Sequence, residues 1–109
     1  MGTRLSDSEF TALLAVLRLG DRAYGIPIAQ ELEAVGRRTV AVAAVYATMN
    51  RLEARGLVSS SLGEATPERG GRPKRFFRVT AKGLRAARDT RRALVDLWTG
   101  LPQLEGTRG

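Results

Sequence analysis

The sequence predicts a mostly α chain carrying one small β-hairpin, and three observations lead to that class. Apolar residues recur at three- and four-residue spacing in four segments. Between the third and fourth lie two short runs rich in β-branched and aromatic residues, flanking a basic, glycine-rich loop. Glycines and capping residues mark most of the segment ends. With 109 residues there is room for one domain and one core, and a chain this small gains much by burying further surface against a partner.

The first helix is predicted from about Asp7 to Leu19. Ser6 with Glu9 forms a capping box, Phe10, Leu13, Leu14 and Leu17 make the apolar stripe, and Gly20 supplies a left-handed stop. The same capping box accounts for the start of the chain, where Gly2 and Ser6 fit a short lipidation pattern that matches by chance. After the turn Asp21-Arg22-Ala23, a second helix opens at Tyr24-Gly25 with Pro27 in its first turn, carries Ile28, Leu32 and Val35 on one face, and ends at Gly36. The third helix spans about Val42 to Arg55 with Val42, Val45, Met49 and Leu52 inward. Its N-cap is weakly written, since Ala41 has no side-chain oxygen and Thr39 is the nearest hydroxyl. Gly56 stops it. Leu57 to Leu62 and Lys74 to Val79 then read as paired strands joined by a long loop, Gly63 to Pro73. Thr80 caps a last helix of about Ala81 to Gly100, and Pro102 to Gly109 reads as a frayed tail.

Charge narrows the function. There are 18 Lys and Arg against 11 Asp and Glu, a net charge of +7. Sixteen of the basic residues are Arg, whose planar fork suits phosphates and guanine edges. Residues 37–92 hold fourteen basic and four acidic groups, whereas the flanking segments are slightly acidic. A basic middle between near-neutral flanks is the footprint of a polyanion-binding surface; a merely solubilising surface is the plainer alternative. With no Cys and no His, zinc sites of the usual kinds, disulfides and Cys- or His-based catalysis are excluded. No cofactor and no metal are expected. No run reaches the roughly 18 apolar residues of a membrane span, so the chain is expected to be cytoplasmic.

A helix followed by a basic hairpin is the layout of a winged helix-turn-helix, which reads duplex DNA. Advancing 100° per residue from Val45 places Ala43, Ala47, Asn50, Arg51 and Ala54 on or near the outward face of the third helix. Asn50 can pair with adenine and Arg51 with guanine, while the alanines permit close approach and contact with a thymine methyl. The competing reading is that alanine is the best helix former and Arg51 solvates the surface. In the hairpin, Arg69, Arg72, Lys74, Arg75 and Arg78 cluster around Gly70-Gly71. Arg75 and Arg78, three apart on a strand, point to opposite faces, so Arg72 and Lys74 are the better phosphate or minor-groove candidates. Gly70-Gly71 is no nucleotide-binding loop, because no Gly-Lys-Ser/Thr follows.

Over about residues 5 to 101 the chain resembles the PadR-like transcriptional regulators. The resemblance is carried by Tyr24-Gly25-Ile26, by Ala44-Val45-Tyr46 through Arg51-Leu52-Glu53 with Gly56-Leu57-Val58, and by Gly70-Gly71-Arg72 through Lys74-Arg75-Phe76-Phe77-Arg78-Val79-Thr80 with Gly83. It implies a homodimeric winged-helix repressor whose third helix enters the major groove, whose wing lies on the flanking backbone, and whose last helix makes the dimer. By the same carry-over Tyr46 is the tyrosine that meets a DNA phosphate, and Arg72 the wing arginine. Ala41-Val42-Ala43-Ala44 departs from the Ser-Pro-Gly-Thr type of opening found in many members, so no contact is carried over to Ala44. On this reading residues 1–80 bind DNA, residues 81–101 form the dimerisation helix, and 102–109 are a flexible tail. Phe10 and Leu13 of one protomer are expected against Leu94, Leu97, Trp98 and Leu101 of the other. The lone Trp98 either lines a pocket for a planar small-molecule effector, as the resemblance implies, or simply packs the dimer core.

The leading expectation is a sequence-specific repressor on an inverted-repeat operator, with half-sites about one helical turn, roughly 10 bp, or a multiple apart. Two alternatives compete: a nucleic-acid module without a preferred operator, and an adaptor whose basic wing meets an acidic protein. An enzyme is not expected, since neither an acidic cluster nor an activated nucleophile is visible.

Overall fold

The computed structural model describes residues 4–36, 38–65 and 73–104. In order they form α1 (Asp7–Leu19), a 3-10 turn (Gly20–Arg22), α2 (Gly25–Gly36), α3 (Val42–Ala54), β1 (Val58–Ala65), β2 (Pro73–Val79) and α4 (Ala81–Trp98). Local chemistry sets these limits. Ser6 Oγ accepts from the Glu9 amide while Glu9 accepts from the Ser6 amide, completing the capping box of α1. Thr80 Oγ1 accepts from the Gly83 amide at 3.0 Å and donates to the Gly56 carbonyl at 2.7 Å, which caps α4 and ties it to the end of α3. Gly20 and Gly56 adopt positive φ where α1 and α3 stop. Ala41 occupies the N-cap of α3 with no side-chain acceptor, as its missing oxygen dictates.

The core lies where α1, α2 and α3 meet the base of the hairpin, with Leu13, Val16, Ile28, Met49, Leu52 and Leu57 fully buried. β1 and β2 are antiparallel, pairing Val58 with Val79 and Ser60 with Phe77. On the other edge of β2, the Phe77 amide donates to the Ala23 carbonyl at 2.8 Å, so the turn before α2 is stitched to the wing. α4 crosses this base closely. A methyl group on Gly83 would stand 2.1 Å from the Leu57 carbonyl oxygen, and glycine is what permits the approach.

Several expectations need correction. α1 buries Ala12, Leu13, Ala15, Val16 and Leu19 and leaves Leu14 and Leu17 nearly half exposed, because its small alanines let the neighbouring helices approach on that side. Leu13, expected in the dimer interface, is fully buried in the chain's own core and has no surface to offer a partner. Phe10 is partly exposed at the border of this core. Val35, expected on the inward face, lies 75% exposed in the last turn of α2. Both strands are longer than expected at the loop end, β1 to Ala65 and β2 from Pro73, and α4 ends at Trp98. The loop residues 66–72 and the tail residues 105–109, including the expected wing tip and chain end, lie outside the described residues.

Candidate nucleic-acid interface

The sequence of α3 divides cleanly by burial. Val45, Thr48, Met49 and Leu52 face the core, whereas Ala43, Ala44, Ala47, Asn50, Arg51 and Ala54 are exposed. The alanines form the middle of the outward face, flat enough for close approach, and the two hydrogen-bonding residues flank it. Arg51 leans toward α1, with Nη2 3.2 Å from Thr48 Oγ1 and Nε 3.7 Å from Glu9 Oε2. Asn50 leans the other way, toward the wing, where its Oδ1 accepts from Arg75 Nη1 at 2.8 Å.

Arg75 is therefore turned onto the helix. Its second nitrogen, Nη2, pairs with Glu53 Oε1, and its guanidinium lies 4.8 Å from the Phe77 ring centroid. Glu53 Oε2 in turn accepts from Ser60 Oγ of β1 at 2.7 Å, so one carboxylate holds both strands of the wing. The Ser60 hydroxyl and the Arg75 guanidinium together hold the Glu53 carboxyl below its usual range, against a smaller opposing effect of burial. Lys74 sits across the strand from Arg75, its Nζ 4.6 Å above the Tyr24 ring, which also meets Phe76 edge-on at 5.4 Å. Arg78 is exposed on that same side of β2.

Tyr46 stands between these groups. Its half-buried ring packs on the start of α2 so tightly that a methyl on Gly25 would come within 2.6 Å of its hydroxyl, which explains the Tyr24-Gly25 pair as a packing requirement. On the other side it faces Phe77 at 6.3 Å. Below the helix, Glu9 is buried and joins the start of α1 to the end of α3: Oε1 accepts from the Ser6 amide and from Arg55 Nη1, both at 2.9 Å, and Arg55 Nη2 donates to the Arg4 carbonyl. Burial alone raises the Glu9 pKa, but the Ser6 amide and the Arg55 guanidinium outweigh it and the net shift is downward.

The structure thus brings Ala43, Tyr46, Ala47, Asn50, Arg51, Lys74 and Arg75 onto one end of the domain, formed by α3, the start of α2 and the hairpin; Arg72 lies outside the described residues. Sequence reading missed Glu53 and Ser60, and of Glu9 it gave the capping box but not the pairing with Arg55. Glu53 could have been singled out as the acid one turn beyond Asn50, opposite a strand rich in arginine. The link from α2 to α3 is also anchored unexpectedly, by the Val40 amide donating to Glu33 Oε2 at 2.8 Å. Among the described residues no group of acids suggests a metal site, and no helix is long and apolar enough to cross a membrane.

This architecture recurs in solved structures. A PadR family transcriptional regulator from Eggerthella lenta superimposes with a TM-score of 0.67 at 26% identity, over 90% of this chain and 82% of its own. A PadR-like transcription factor from Bacteroides fragilis gives 0.67 and 26%, over 82% and 81%. A PadR family regulator from Clostridium difficile gives 0.70 over 93% and 100%, at 16% identity that bears on the fold alone. Among curated proteins none matches significantly. The model of the PadR-like family of transcriptional regulators matches residues 13–89. A winged-helix domain with a basic face, matched by that model over most of its length, places this chain in the PadR-like family of transcriptional regulators.

Proposed function

We propose that this regulator is a repressor that binds an inverted-repeat operator as a homodimer, with α3 in the major groove and the wing on the flanking backbone. The observation that carries the proposal is the face itself: a smooth alanine strip flanked by Asn50 and Arg51, beside a wing that turns Arg75 onto α3 and carries Lys74 and Arg78 on its other side. Phosphate contacts from Tyr46, Lys74 and Arg72 hold the protein in register, and Asn50 and Arg51 read bases. Leu94, Leu97 and Trp98 of α4, with Leu101 just beyond its end, make the dimer, meeting the α1 face of the partner where Phe10, Leu14 and Leu17 lie. Residues 1–80 then act as the DNA-binding unit and residues 81–101 as the dimerisation helix. Regulation by a planar effector stacked on Trp98 follows if such a ligand binds the DNA-competent and DNA-incompetent dimers with different affinity.

The test is to map protected genomic DNA, beginning with the promoter upstream of the chain's own reading frame, and to compare two variants on the site found. Arg72→Ala should weaken specific and nonspecific DNA alike and lower the salt slope by about one unit for each phosphate left unneutralised. Arg51→Ala should cost about 1–3 kcal/mol on the best site and relax discrimination at one position. Equal losses on all sequences for both variants would overturn the assignment of the reading face. Binding without any preferred site would favour a non-specific nucleic-acid module, and binding that survives competitor DNA an adaptor for an acidic protein. For the effector, titration with planar compounds should couple quenching of Trp98 fluorescence to operator release.

A further inference from the structure

Arg75 was expected among the DNA-binding residues, yet both ends of its fork are engaged by α3. We propose that Arg75 is a positioning residue that sets base preference by fixing the amide of Asn50, an inference that rests on α3 being the reading helix. A guanidinium only donates, so the group it holds on Asn50 must be the oxygen. That orientation follows from chemistry alone. The amide plane is then pinned between a strand and a helix: Nη2 on Glu53, Glu53 on Ser60, and the guanidinium against Phe77.

The consequence concerns which base edge Asn50 can meet. A free asparagine reads adenine with both ends of its amide, accepting from N6 and donating to N7. Here Oδ1 is turned toward Arg75, and the outward group is Nδ2, which only donates. In the major groove an outward donor favours an edge that only accepts, and guanine presents two acceptors, N7 and O6, side by side. Asn50 held by Arg75 is therefore a reader of guanine. Released from Arg75, it reverts to adenine. The clamp also explains why β2 carries arginine here although its side chain faces the protein.

The experiment selects half-sites from a randomised duplex library with the full-length protein, in wild type, Asn50→Ala, Arg75→Met and Glu53→Gln, each first checked for native circular dichroism. Asn50→Ala should flatten preference at one position, which marks the base it reads. At that position the wild type should prefer guanine, and Arg75→Met should raise the adenine-to-guanine ratio by about tenfold, with the salt slope unchanged. Glu53→Gln, which keeps Arg75 but loosens it, should shift the ratio the same way by less. Should Arg75→Met fail to fold, Glu53→Gln and the Asn50 side-chain amide resonances of the free protein carry the test. A consensus indifferent to both variants, or a salt slope lowered by about two units per dimer in Arg75→Met, overturns the assignment and returns Arg75 to the phosphate backbone. A wild type that yields no consensus at all overturns the sequence-specific reading, and this assignment with it.

Discussion

The two ends of this chain treat their apolar residues in opposite ways. Across α1 to β2, Leu13, Ile28, Met49, Leu52 and Leu57 are fully buried by the chain's own elements. Along α4 burial reaches Gly83, Ala86 and Ala87 and then ceases: the rest of the helix from Arg91 and the turn after it, to Leu104, are all exposed, Leu97 to 74% and Trp98 to 53%. Yet the apolar positions Leu94, Leu97 and Trp98 of this second half prolong the buried line of the first, while Arg85, Arg88 and Arg92 keep to the opposite side of the helix. A continuous stripe of this kind, with half its length unburied, is the surface that the proposed dimer would cover. The winged domain closes on itself; the end of α4 does not.

The sharpest way to break this contrast is to place charge on the open half. Leu94→Glu with Leu97→Glu should convert the protein to a monomer in sedimentation while circular dichroism of the winged domain stays native. With only one of two linked half-sites engaged at a time, operator binding should then weaken by about 100-fold or more. A dimer that survives the double substitution would show that α4 is not its interface. The closed half should respond differently. Leu52→Ala, in the middle of the core, should cost about 2–5 kcal/mol in denaturant unfolding, at any protein concentration at which the assembly is unchanged. A smaller loss would mean that α3 relaxes into the space and that the core is less tightly packed than its burial implies.

Between these lies the contact of Glu9, buried where α1 meets the end of α3. Because the Glu9 pKa is lowered in the folded state, its contribution is fully present above its ordinary value of 4.5 and is lost as pH falls through the lower folded value. Wild type should therefore be more stable than Glu9→Gln at neutral pH, and the gap should narrow below about pH 4.5. A pH-independent difference between the two would assign the effect to packing alone.

Much of the fold was legible because its signals are local. Ser6, Thr80, Gly20 and Gly56 act on backbone groups within a turn of themselves, and each marks the boundary it was expected to mark. The face of α1 was misjudged because periodicity gives most weight to large residues, whereas Ala12 and Ala15 decide how closely the neighbouring helices approach. The outward face of α3 could be read from spacing alone. Its pairings could not: Asn50 meets Arg75 across 25 residues and Arg55 meets Glu9 across 46, through a register between strand and helix that no local pattern encodes.

The smallest expected effect tests α3, a helix of the closed half whose start the sequence leaves bare. α1 and α4 begin on Ser6 and Thr80, each accepting an amide three residues on. α3 begins on Ala41, whose φ of −72° and ψ of 136° already match the extended N-cap geometry of those two residues. Ala41→Ser therefore needs no backbone change to bring a hydroxyl to the first-turn amides, and should stabilise the protein by about 0.5–2 kcal/mol. That would raise the melting midpoint by about 4–8 °C for each kcal/mol in a domain of this size. Operator affinity should stay within about twofold, since α3 is formed before DNA arrives and its outward face from Ala43 to Ala54 is untouched. No gain in stability would mean that the Glu33 carboxylate, through its bond to the Val40 amide, already holds this end of the helix as firmly as a cap would.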